Sequence, residues 1–171
     1  MKILDDFLPI QQFQSFQQLF FDKDFPWFYN DSLANLVRGQ DQFQLTHSFF
    51  DIRHPFKCTP SKSKSLLLPL LTKLSPKYIL RIKANLRPRT SNPVLSPFHT
   101  DTDIPHTTAI FYINSNNGYT VFKDNSKVIS RENRLCLFNG HIEHAGVSCT
   151  DARRRIVLNI NYLPPSLDPL R

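Results

Sequence analysis

Residues 153–162 read RRRIVLNINY, and the alternation within them sets the architecture. Side chains two apart on a strand share a face. Ile156, Leu158, Ile160 and Tyr162 therefore make one apolar face, while Val157, Asn159 and Asn161 make the other. A strand of this kind needs a core behind it and tolerates a polar space in front. Upstream, YILRIKANL from Tyr78, TTAIFYIN from Thr107, GYTVF from Gly118 and NRLCLF from Asn133 also have strand character. Asn117-Gly118 is a hairpin signal between the second and third of these, and Asp124-Asn125 marks a further turn.

The amino-terminal part has a different texture. LPIQQFQSFQQLFF at 8–21 spaces Leu8, Phe13, Phe16, Leu19 and Phe20 as the buried stripe of an amphipathic helix. DFPWFYN at 24–30 breaks that pattern with Pro26 and an aromatic cluster expected in the core. QFQLTHSFFD at 42–51 alternates as a strand, KCTPSKSKS at 57–65 has the composition of a mobile basic loop, and SLLLPLLTKL suits a short helix limited by Pro69. Helices first and a meander of short antiparallel strands afterwards predict an α+β domain ending in a sandwich or barrel. A single domain over 1–171 is expected, with 1–77 supporting a β core at 78–162.

Fifteen phenylalanines and thirteen prolines against four glycines agree with short, punctuated β structure. No apolar run reaches transmembrane length, and MKILDDFLPI lacks the stretch of a secretory signal. Cys58, Cys136 and Cys149 are scattered without paired spacing, so free thiols and a cytoplasmic location are expected. The net charge of +7 and the runs KCTPSKSKS and KANLRPR keep nucleic acid open as a partner, although a solvated basic surface explains the charge as well and no zinc-finger spacing or RNA-binding signature occurs.

Chemistry concentrates in two places, PFHTDTD at 97–103 and HIEHAG at 141–146. On a strand, His99 and Asp101 present an imidazole and a carboxylate side by side. Two ligands do not satisfy a divalent metal, and His144, at the edge of another strand, is a candidate third. Two histidines and one carboxylate, with the opposite positions open, suit a non-haem Fe(II) site. A His-X-Asp pair alone is common on surface turns, and its weight here comes from its surroundings.

FHTDTD, TAIFYINSNNGYTVF, RLCLFNGHIEHAG and RRRIVLNINY together resemble the Fe(II)/2-oxoglutarate-dependent dioxygenases, in particular the prolyl-hydroxylase-like branch, over about Tyr78 to Tyr162. DFPWFYN is more loosely similar to small phage and marine-bacterial members, which for a phage protein implies the host cytoplasm. The resemblance implies a double-stranded β-helix of jelly-roll or cupin-like form, with iron held by His99, Asp101 and His144. His141 competes with His144, but EHAG matches the family pattern better than GHIE.

The resemblance also implies a cation for the distal carboxylate of 2-oxoglutarate, from among Arg153, Arg154 and Arg155. Strand parity places Arg155 with the asparagines and Arg154 with the apolar face, leaving Arg153 as the same-parity alternative. Tyr112 matches a tyrosine that touches the same carboxylate, or is an ordinary core aromatic; Asn85, Asn159 and Asn161 are open as pocket residues.

The implied activity is hydroxylation of a protein side chain or small molecule using O2 and 2-oxoglutarate, with succinate and CO2 as products and ascorbate as a supporting reductant. RIKANLRPRTSNPVLSP departs from collagen-type and oxygen-sensing prolyl hydroxylases, so their substrates do not transfer. Loops near 50–66 and 86–97 are expected to shape substrate choice. The alternatives are a non-catalytic cupin-like metal-binding module, a nucleic-acid oxygenase or binder, and a hydrolytic zinc enzyme. The first and last of these leave Arg155 without a role.

Overall fold

The structure, a computed structural model, describes residues 1–30, 43–55 and 62–165. Its strands are β1 (Lys2–Leu4), β2 (Phe28–Asn30), β3 (Gln44–Asp51), β4 (Tyr78–Pro88), β5 (Thr107–Tyr112), β6 (Tyr119–Phe122), β7 (Lys127–Ile129), β8 (Arg134–Asn139), β9 (His144–Val147) and β10 (Arg154–Leu163). They form a seven-stranded sheet in the order β1-β8-β5-β10-β4-β3-β2 and a three-stranded sheet in the order β7-β6-β9, with every pairing antiparallel. This is a double-stranded β-helix, with the segments 113–118 and 140–143 carrying the chain between its sheets.

The helices α1 (Ile10–Phe21) and α2 (Leu68–Leu74) accompany the large sheet. Phe13, Phe16 and Phe20 of α1 pack in one cluster with Ile156, Leu158 and Ile160 of β10 and with Phe111 of β5. Phe7, Phe13 and Phe16 each meet the Phe111 ring edge-on, with centroids 5.7–6.3 Å apart. Pro69 falls in the first turn of α2, where its missing N–H leaves no hydrogen bond unmade. The opposite face of the large sheet meets the small sheet through Ile110, Tyr112, Phe122, Phe138 and Val157. The site opens in the space between the sheets.

Several expectations change. The carboxy-terminal strands do not form a meander: β5 lies between β8 and β10, while β6 belongs to the other sheet. Asn117-Gly118 is therefore a crossover rather than a hairpin turn. A Cβ on Gly118 would stand 2.7 Å from Arg155 Cδ and 2.9 Å from the Val147 carbonyl oxygen, so glycine serves a close approach there. The hairpin turn joins β6 to β7, where Asn125 takes a φ of 65° and the Phe122 N–H donates to the Ser126 carbonyl at 3.0 Å.

The aromatic cluster divides, with Phe25 buried, Trp27 packed against the core, and Phe28 and Tyr29 exposed on β2. Of the expected loop at 57–65, residues 57–61 lie outside the described residues, and Lys62–Leu67 is a 3-10 helix that leads into α2. Cys136 and Cys149 are buried free thiols, and Cys58 lies outside the described residues. No helix among the described residues is long and apolar enough to cross a membrane.

One side chain helps to fasten the segment between β1 and α1. Asn133, in the left-handed region at φ 58°, accepts from the Leu8 N–H and donates to the Leu8 carbonyl, both at 2.8 Å and buried. Asn133→Ala leaves both backbone groups unsatisfied and is expected to cost about 2–3 kcal/mol. Urea denaturation checks this, and a change below about 0.5 kcal/mol would show that water replaces both bonds.

Candidate active site

The large sheet supplies the cavity floor. Along β4, Leu80, Ile82, Ala84 and Leu86 are buried, while Arg81, Lys83, Asn85 and Arg87 line the cavity on the alternate face. Across the ladder, Asn161 faces Arg81, Asn159 faces Lys83, Val157 faces Asn85, and Arg155 faces Arg87. The cavity measures about 290 Å³, with a His-Asp-His cluster and the Arg87–Arg155 pair among its walls.

His99, Asp101 and His144 converge, with one ligand atom from each lying within 4.8 Å of the others. The parity argument is not what brings His99 and Asp101 together. Residues 100–106 are not strand, and His99 is held by a single bridge, its N–H and carbonyl exchanging bonds of 3.1 and 3.0 Å with His144. That bridge brings the imidazoles to 4.8 Å between centroids, and the bend after it returns Asp101 to the same spot.

The donor set suits a divalent ion. His99 Nδ1 lies 3.1 Å from the Pro97 carbonyl and His144 Nδ1 lies 3.3 Å from the Ile142 carbonyl, which places the proton on Nδ1 and leaves each Nε2 as a ligand. His144 Nε2 is buried with no hydrogen-bond partner among the described residues, an orphaned polar atom that a metal would satisfy. Burial lowers the His144 pKa, against the pull of Asp101, and so favours the neutral ring that binds metal.

Burial alone would raise the pKa of Asp101, but Arg81, the histidines and Asn161 outweigh it and hold the carboxyl at about 2. Arg81 donates to Asp101 Oδ1 at 3.0 Å and Asn161 Nδ2 to Oδ2 at 2.9 Å. These partners fix the carboxylate from behind. His141 sits exposed on the turn before β9 and is not in the cluster.

At the other end of the floor, Arg155 is buried. Its Nε donates to Ser130 Oγ at 2.8 Å and its Nη2 to Thr120 Oγ1 at 3.1 Å, while Nη1 has no hydrogen-bond partner among the described residues. Burial lowers its pKa without neutralising it. Arg154 points to the helix side, its guanidinium 4.7 Å from the Phe21 ring centroid, and Arg153 is exposed.

Tyr112 does not line the cavity. Its buried hydroxyl donates to Thr120 Oγ1 at 2.8 Å, and its ring lies 5.7 Å from the Arg155 guanidinium carbon. Thr120 does line the cavity and, having accepted from both Tyr112 and Arg155, keeps its own proton for a ligand. Asn85 and Asn159 also line it, and Asn161 sits behind Asp101.

Sequence reasoning missed Arg87, Arg81, Lys83 and Thr120. Arg87 is buried and donates to Ser96 Oγ at 2.8 Å, the Gly146 carbonyl at 2.9 Å and the Val94 carbonyl at 3.4 Å. It thereby ties the loop before His99 to the strand that begins with His144. Burial and the neighbouring Arg155 bring its pKa down to about 10, which keeps it charged at neutral pH. A Cβ on Gly146 would stand 3.6 Å from Arg155 Nη1 and 3.8 Å from Arg87 Nη1, so the two cations flank one point of the cavity. No carboxylate pairs with either among the described residues. Such a pair favours a bound anion.

No protein-family model matches the sequence, and no curated protein matches it. Solved structures do match at the level of the fold. A Pseudomonas putida prolyl-4-hydroxylase is 14% identical, with a TM-score of 0.58 over 95% of this chain and 91% of that one. The non-haem α-ketoglutarate-dependent epimerase SnoN from nogalamycin biosynthesis is 12% identical, with a TM-score of 0.60 over 99% and 87%. HygX from Streptomyces hygroscopicus, with nickel and 2-oxoglutarate bound, is 12% identical, with a TM-score of 0.53 over 99% and 84%. The chain thus shares the double-stranded β-helix of 2-oxoglutarate-dependent oxygenases and prolyl hydroxylases.

Proposed function

We propose that the protein is an Fe(II)- and 2-oxoglutarate-dependent dioxygenase that hydroxylates a protein side chain or small molecule, with succinate and CO2 as co-products. The observation that carries this reading is one cavity with a His-Asp-His cluster in one part and two buried, carboxylate-free arginines in another. His99, Asp101 and His144 would hold the iron. Bound iron and 2-oxoglutarate supply the oxidative chemistry, coupling decarboxylation to C–H oxidation.

The chain's own residues bind and orient. With three protein ligands, a bound iron would stay open to the 2-oxo acid and to O2. Arg155, through its free Nη1, and Thr120, through its hydroxyl, are placed to grip the distal carboxylate. Tyr112 acts behind them, holding Thr120 and flanking the guanidinium. Arg81 and Asn161 keep Asp101 ionised and correctly turned. A non-catalytic metal-binding module would have no use for buried arginines beside its metal site.

Anaerobic addition of Fe(II) and then 2-oxoglutarate is expected to produce the weak visible charge-transfer band of the chelate. All the proposed cosubstrate contacts lie on the β core, so slow succinate formation is also expected with Fe(II), ascorbate and O2 before any substrate is supplied. The control is Asp101→Ala. A folded, iron-loaded protein with neither band nor succinate above that control would support the binding-module reading instead.

A further inference from the structure

Resting on the oxygenase reading above, we propose that the substrate oxidised in this cavity carries an anionic group, a carboxylate or a phosphate, and that Lys83 binds it. Charge is the first ground. Arg53, Arg81, Lys83, Arg87 and Arg155 line the cavity, against Asp101 in the lining and Asp51 behind Arg53 and Arg81. A divalent iron and a doubly charged 2-oxoglutarate cancel each other. Five cations and two carboxylates therefore leave three positive charges after both have bound. A neutral or cationic substrate would enter against that field, and an anionic one is drawn in.

Pairing is the second ground. Arg53 and Arg81 are engaged by Asp51 and Asp101. Arg87 donates to backbone carbonyls and Ser96, and Arg155 donates to two hydroxyls and keeps Nη1 for the cosubstrate. Lys83 alone among the five forms no hydrogen bond or ion pair with any described residue. It is half-buried, and desolvation together with Arg81 lowers its pKa to about 8, so it is still largely protonated at pH 7. A desolvated ammonium without a partner costs folding energy.

Position is the third ground. Lys83 is two residues from Arg81, which touches the metal ligand Asp101, and four from Arg87. Four residues of strand span about 13 Å. The terminal carbons of a five-carbon diacid lie only about 5–6 Å apart. A diacid held by the Arg87–Arg155 pair therefore leaves Lys83 on the metal side of the cavity, where the reacting carbon of a substrate must come.

Paramagnetic relaxation tests this without turnover. Mn(II)-loaded protein, saturated with 2-oxoglutarate under anaerobic conditions, is titrated with methyl phosphate (31P) or acetate (13C), and two arms tell the phosphate source from the carboxylate source. At least one anion is expected to show saturable relaxation by the metal. Its affinity is expected to fall about tenfold or more in Lys83→Met, recover largely in Lys83→Arg, and stay unchanged in the exposed-surface control Lys127→Met. Saturable relaxation indifferent to Lys83 would mean that the anion sits on the metal itself and would overturn the proposal, as would displacement of the anion by 2-oxoglutarate or silence in both arms. If Mn(II) and 2-oxoglutarate fail to bind while Lys83-dependent anion binding persists by equilibrium dialysis, the oxygenase reading falls, and the substrate assignment with it, leaving an anion-binding cavity.

Discussion

Replacement of His144 by alanine is expected to abolish Fe(II) binding and 2-oxoglutarate decarboxylation together, each by more than about a hundredfold. Altering partners behind the metal ligands costs 10–100-fold in typical metal sites, and removing a ligand outright costs more. With only His99, Asp101 and His144 in the cluster among the described residues, none of these is spare. His144 is also the ring whose Nε2 has no hydrogen-bond partner among the described residues and whose main chain anchors His99 through the bridge between them. Asp101→Ala should be as severe for a further reason, since it removes the nearer of the two carboxylates on the Arg81 guanidinium and leaves that charge beside the metal position with only Asp51 at 3.9 Å. His141→Ala should retain full activity, because that ring is exposed on a turn and outside the cluster. Metal content by elemental analysis and succinate yield, with circular dichroism to establish folding, provide the check. Loss of iron in His141→Ala with retention in His144→Ala would reverse the assignment.

How much of this was legible in the sequence depends on the range of the forces involved. Alternation in RRIVLNINY is a local consequence of strand geometry, so the apolar and polar faces of β10 could be read directly. The same pattern in YILRIKANLRP puts Arg81, Lys83, Asn85 and Arg87 on one face, yet KANLRPR read as a basic run open to nucleic acid. Net charge concealed what parity held. The pairing order was out of reach for another reason. Asn117-Gly118 has the composition of a tight turn, but whether strands on either side pair is decided by which sheet each one joins. Similarly, His99 and Asp101 converge through a bridge and a bend, a long-range pairing with β9 that spacing alone does not reveal. Tyr112 shows the limit at atomic scale: its place on β5 was readable, whereas the hydroxyl acting through Thr120 was not.

Arg155→Ala is expected to raise the apparent KM for 2-oxoglutarate by about two to three decades, with Fe(II) binding in the absence of 2-oxoglutarate unchanged. A charge-assisted hydrogen bond contributes about 1.5–3 kcal/mol, and the variant loses the bond from Nη1 while loosening Thr120, the other donor. The loss should appear mainly in cosubstrate binding because Arg155 lies on the floor six residues along β10 from Asn161, which holds Asp101. Arg154→Ala should change KM less than about twofold, since that guanidinium lies against Phe21 on the helix side. Gly118→Ala should fall between them. The added methyl would stand 2.7 Å from Arg155 Cδ and must displace its stem, but the charge remains. Arg87 should limit the damage in Arg155→Ala, because it flanks the same point of the cavity and stays charged. Arg155→Ala combined with Arg87→Met should therefore lose more than the first alone. Equal effects from Arg154 and Arg155 would mean that the cosubstrate does not lie along this floor, because the two side chains leave β10 on opposite faces.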